Sequence, residues 1–86
     1  LSNEDAMFLG NVSLLKDRHS RGLLKGDEGS FVCAAAARTG QLEELKALRA
    51  AKFPWDSWTC ESAAEGGQLE VLKWARENGC PELGRR

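Results

Sequence analysis

Leu42, Leu45 and Leu48 recur at i, i+3 and i+6, and Leu69, Leu72 and Ala75 repeat that spacing 27 residues later. Each trio therefore lies along one side of an α-helix, which predicts helices over about Gln41–Ala51 and Gln68–Asn78. The polar positions follow the helix dipole: Glu43, Glu44 and Glu70 fall in the first turn, with Lys46, Arg49, Lys52, Lys73 and Arg76 farther along. Before each leucine trio comes a run of small residues, CAAAA in one case and CESAA in the other. These runs predict shorter helices over Phe31–Arg38 and Trp58–Glu65, narrow enough for a neighbouring helix to approach closely. Ser30 and Ser57 stand where a hydroxyl would accept from the unpaired N–H groups of the first turn. Thr39-Gly40 and Gly66-Gly67 end the short helices, because glycine tolerates the left-handed conformation after a helix C-terminus. Lys52-Phe53-Pro54 and Gly79-Cys80-Pro81 stop the longer ones.

The two stretches are one segment written twice. Residues 31–54 and 58–81 agree at 11 of 24 positions without a gap, at the period of 27 set by Cys33 and Cys60. A third, weaker copy lies upstream, where Ala6 and Gly10–Lys16 match Ala36 and Gly40–Lys46 at a shift of 30. The three extra residues fall in the turn-rich linker Leu23–Gly29. A fixed period of this length means units that bury their apolar faces only against neighbours. The chain thus reads as one all-α domain, a solenoid of about three stacked helix-turn-helix repeats over roughly 2–22, 30–54 and 57–81.

The repeated residues resemble the ankyrin repeat. Ala63-Ala64-Glu65-Gly66-Gly67-Gln68-Leu69-Glu70-Val71-Leu72-Lys73 is similar to that family's A-A-x-x-G-H-L-E-V-V-K core, and Gly79 to the glycine closing its second helix. Ala36–Lys46 repeats the likeness and Gly10–Lys16 does so weakly. The family's T-P-L-H turn is replaced by Trp58-Thr59-Cys60-Glu61 and Phe31-Val32-Cys33-Ala34. A period of 27 instead of about 33 removes roughly six residues of the projecting β-turn finger. Pro54-Trp55-Asp56 with Trp58-Thr59-Cys60 is similar to a short, Trp-rich form of the repeat. The resemblance implies a non-catalytic surface that binds another protein.

Composition narrows the function classes further. The 86 residues carry 12 basic and 13 acidic side chains, interspersed, for a net charge of −1. With no basic stripe to neutralise phosphates, nucleic acid is not an expected partner. No apolar run approaches the roughly 20 residues of a membrane-spanning helix. Beginning at Leu1 instead of Met, the chain reads as a fragment or as the mature product of a cleaved precursor, within the cytoplasm or an organelle. His19, the single histidine, has no nucleophile pattern around it and reads as a helix-terminal residue. Spacings of 14, 27 and 20 among His19, Cys33, Cys60 and Cys80 lack the close ligand pairs of a zinc site. Gly26, Gly29, Gly66 and Gly67 form no phosphate-binding loop. The expectation is no enzyme, no cofactor, no metal and no small-molecule ligand.

Of the cysteines, Cys33 and Cys60 occupy one repeat position among small residues and read as buried thiols, while Cys80 falls in a loop, a candidate for reaction but with no neighbour in sequence that would lower its pKa. With the second-helix stripes committed to the core, the partner-binding surface falls on the first helices and linkers, at Trp55, Trp58, Arg38, Glu61, Ser62 and Glu65. Trp55 and Trp58 either pack linker onto helix or stand out as aromatic anchors. Val71, Trp74 and Leu83 are expected at an uncovered end of the array, which a neighbouring chain would cover. The alternative to a recruitment module is a small structural subunit docked permanently in a larger assembly, organellar and membrane-associated.

Overall fold

Glycine and polar breakers divide the chain into six short helices in three pairs. The computed structural model describes residues 2–81 and places α1 at Asn3–Phe8, α2 at Val12–Ser20, α3 at Phe31–Arg38, α4 at Leu42–Ala50, α5 at Ser57–Glu65 and α6 at Leu69–Glu77. A 3-10 turn over Gly26–Ser30 leads into α3. Among the described residues there is no strand.

One turn joins the helices of every pair. Gln41 N–H bonds to the Ala36 carbonyl at 2.9 Å and Gly40 N–H to that of Ala37 at 3.3 Å, a Schellman closure of α3. Asn11 and Gly10 make the same bonds to Ala6 and Met7, and Gln68 and Gly67 make them to Ala63 and Ala64. Gly40 needs its left-handed φ of 74° for this turn. A side chain there would also strike Gln68, whose Oε1 lies 2.4 Å from the position of an added Cβ.

The caps differ in part from expectation. Ser2 Oγ accepts from Asp5 N–H and Asn11 Oδ1 from Leu14 N–H, as good N-caps do. Ser57, however, is the first helical residue of α5. The cap is Asp56, in extended backbone, whose Oδ1 accepts from Trp58 N–H at 3.0 Å. Ser30 makes no side-chain capping bond, because its helical φ of −82° and ψ of −7° simply continue the 3-10 turn into α3.

Helix α3 is the centre of the molecule. All of Phe31–Ala37 are buried, with α1 and α5 flanking α3 and α2 and α4 packed against it. The closest pairing is α3 with α5, and small side chains permit it. Met7, Leu15, Val32, Leu45 and Leu48 fill the spaces left by the alanines. In α4 the leucine stripe faces inward as expected, with Leu45 and Leu48 buried and Leu42 half-buried.

Helix α6 departs from that register. Val71 and Ala75 are buried, Leu72 is half-buried, and Leu69 is 73 % exposed. Val71 stands where α4 carries Glu44, so the inward side of α6 is set by Val71 and Ala75 and Leu69 turns outward. The expected uncovered end is likewise corrected. Val71 belongs to the main core, and Trp74 packs edge-on against Trp55 with ring centroids 5.8 Å apart. Val71 is thus covered by the chain's own core, while Trp74 is half-buried beside the linker; Leu83 lies outside the described residues.

Candidate interaction surface

Phe8, Arg38 and Glu65 hold the same position in the three sequence copies, at shifts of 30 and 27. The fold brings them into one row across α1, α3 and α5. The Arg38 guanidinium sits 4.9 Å from the Phe8 ring centroid, and its Nη1 is 2.8 Å from Glu65 Oε1. Phe8 is nonetheless 47 % exposed, and Glu65 is open to solvent. A second equivalent pair runs beside it, Phe31 against Trp58 at 5.9 Å between tilted rings. Trp58 remains 38 % exposed, whereas Phe31 is buried beneath it. Glu61, half-buried, lies one turn on from Trp58 along α5.

Of the expected surface residues, then, Arg38, Trp58, Glu61 and Glu65 gather along α3 and α5. Ser62 does not join them: it is fully buried. Trp55 lies elsewhere, under the Arg49 guanidinium at 4.4 Å and against Trp74, so it fastens the linker to the second helices. Arg49 also donates from Nη1 to the Phe53 carbonyl, which holds it in that place. Sequence reasoning missed Phe8 and its exposed neighbour Leu9; the weak upstream copy, which aligns Phe8 with Arg38, carried the signal.

Bonds from two repeat-equivalent glutamines fix the row from behind. Gln41 Nε2 donates to the Gly10 carbonyl at 3.2 Å, and Gln68 Nε2 to the Arg38 carbonyl at 3.4 Å. Each glutamine ties its own turn to the turn of the preceding pair. The ion pairs Arg38–Glu65 and Lys16–Glu44 also cross between pairs, but exposed pairs contribute at most about 1 kcal/mol each.

On the other side, α4 and α6 leave an open groove of about 380 Å³ lined by Leu42, Leu69, Glu70, Lys73, Trp74 and Glu77. Trp74 divides it from a second depression beside Lys46, Arg49, Trp55 and Asn78.

Thr59 and Ser62 are buried in α5 with no partner for either hydroxyl. Their counterparts one repeat earlier are Val32 and Ala35, which need none. A buried hydroxyl without a hydrogen bond carries an uncompensated desolvation penalty. Thr59→Val and Ser62→Ala should therefore each raise stability by about 0.5–2 kcal/mol. Urea midpoints would check this, and a loss in both variants would mean that the hydroxyls are bonded in solution.

His19 is exposed at the end of α2, its ring 4.6 Å from that of Phe53. Among the described residues no group of three or more His, Cys, Asp or Glu side chains could hold a metal ion, and no helix is long and apolar enough to cross a membrane. All three thiols are buried, which corrects the reading of Cys80 as open to reaction. Burial pushes the Cys33 thiol up to about 12 and raises Cys80 as well. Cys80 sits low because Gly79, at a φ of 84°, turns the chain back toward α5. No protein-family model, curated protein or solved structure matches this chain.

Proposed function

We propose that this chain is a non-catalytic protein–protein interaction module built from three ankyrin-like helix pairs stacked as a short solenoid, and that its partner is another protein seated on α1, α3 and α5. The supporting observation is the row of Phe8, Arg38 and Glu65, one repeat position presented three times along a single face, with Trp58 beside it. Half-exposed aromatic rings next to a fixed guanidinium are the side chains that dominate protein interfaces. The recurring turn and the Gln41 and Gln68 bonds support the stacked-repeat reading, since the same glutamine position reaches back to the preceding pair each time.

The alternative, a structural subunit held permanently in a larger assembly, draws support from apolar side chains left open away from this face, Leu69 above all. A recruitment module folds and stays soluble alone, whereas an obligate subunit does not.

Photo-crosslinking groups placed at positions 38, 58 and 65, and separately at 43, 46 and 70, test the face directly. The first set should capture one protein partner and the second should not. For that partner, Phe8→Ala and Trp58→Ala should each weaken binding by about tenfold or more. Crosslinks confined to positions 43, 46 and 70 would refute the assignment.

A further inference from the structure

In the middle helix pair, Cys33 Sγ lies 3.9 Å from the carbonyl oxygen of Phe53. The same two positions one period later are Cys60 and Cys80. Where one copy sets a cysteine against phenylalanine, the next sets two cysteines against each other. Both are nearly sealed, at 4 % and 6 % exposure, and with Ala75 they form a small apolar cluster apart from the main core. Cys60 and Cys80 pack in that one cluster, and Cys80 Sγ lies 3.4 Å from the Asp56 carbonyl at the start of the Cys60 helix. Cys80 is held there by its own N–H, which bonds to the Ala75 carbonyl at 2.9 Å.

We propose that Cys60 and Cys80 are an oxidisable dithiol, a modification site at which a small disulfide oxidant converts the pair into an intramolecular disulfide that locks the last helix pair. One protein thiol, losing its proton, attacks a sulfur of the oxidant and releases one small thiolate. The second protein thiol, also deprotonated, displaces the other half of the oxidant from the mixed disulfide. One S–S bond breaks and one forms. The two sulfurs of the protein give up two electrons, and their two protons end on the two small thiols released. In the closed fold both sulfurs are out of reach, so the first attack follows opening of the Gly79–Cys80 turn, which two backbone hydrogen bonds fasten to the end of α6. The reaction is therefore slow but its product is favoured. Cys33, enclosed in the main core, stays out of it.

The inference stands independently of the binding surface. The full chain is equilibrated in mixtures of reduced and oxidised glutathione, in buffer and again in urea, then alkylated and digested with trypsin. Cys33, Cys60 and Cys80 fall on separate peptides, residues 26–38, 53–73 and 77–85. The expected result is a link between 53–73 and 77–85, with an equilibrium constant about a hundredfold greater for the folded than for the unfolded chain. The oxidised protein should melt roughly 10 °C higher. Cys33→Ser leaves both results unchanged, and Cys60→Ser abolishes the link. Disulfides that include Cys33, dimers through Cys80, or a folded-to-unfolded ratio near one would overturn the proposal.

Discussion

Leu45→Ala is expected to lower the unfolding free energy by about 2–5 kcal/mol, and Leu72→Ala by about half as much. The two leucines are the same residue of the repeat, and sequence alone assigns them one role. Their surroundings differ. Leu45 is fully buried, with α3 behind it, so truncation leaves a cavity that alanine-rich neighbours cannot collapse into. Leu72 is half-buried at the joint between the main core and the small Cys60–Cys80 cluster, so solvent reaches part of the space it vacates. A chain of 86 residues has roughly 4–13 kcal/mol in total. The Leu45 variant would thus lose a large share of its stability. Urea titrations of both variants provide the check. Equal losses would mean that α6 is as deeply packed as α4, and a Leu45→Ala loss under about 0.5 kcal/mol would contradict the observed core.

The same contrast explains what the sequence could and could not reveal. Helix limits were legible because local chemistry sets them: the i, i+3 leucines, the glycine turns and the alanine run gave α3 to the residue and the other predicted helices within about one residue. Burial was not, because it depends on position in the array. Phe31, Ala34 and Ala37 are buried with α5 alongside, while their counterparts Trp58, Glu61 and Ala64 have no later helix over them among the described residues and are partly or fully exposed. Ser62 was misplaced for the converse reason, since its side of α5 turns inward as that of Ala35 does. Chain order alone puts Val71 at the open end, but a helix side chain points by its angle around the axis, and Val71 faces the core while Trp74 stays half-exposed. The candidate surface was legible where one residue type met its mate, as at Arg38 and Glu65. It was obscure at Phe8, whose repeat copy is the most degenerate.

Gly66→Ala sets local preference against this packing, and packing should win. At Gly66 the backbone has a φ of −83° and ψ of 0°, which alanine adopts without strain. By the unfolded-state argument the change would stabilise by about 0.4–1 kcal/mol. An added Cβ, however, would lie 2.1 Å from the Arg38 carbonyl oxygen. No rotamer relieves that contact, because the backbone fixes the position of the Cβ and the oxygen is itself a backbone atom. The end of α5 would have to move away from α3, straining the Gln68 bond to that same carbonyl and the Arg38–Glu65 pair beside it. Overpacking of this kind costs about 1–3 kcal/mol, and the net effect should be a loss of roughly 1 kcal/mol. Because the displacement falls on the face carrying Arg38 and Glu65, affinity for the proposed protein partner should fall with it. A gain in melting temperature for this variant would show that α5 does not approach α3 so closely, and would remove the geometric basis for a continuous surface across the three pairs.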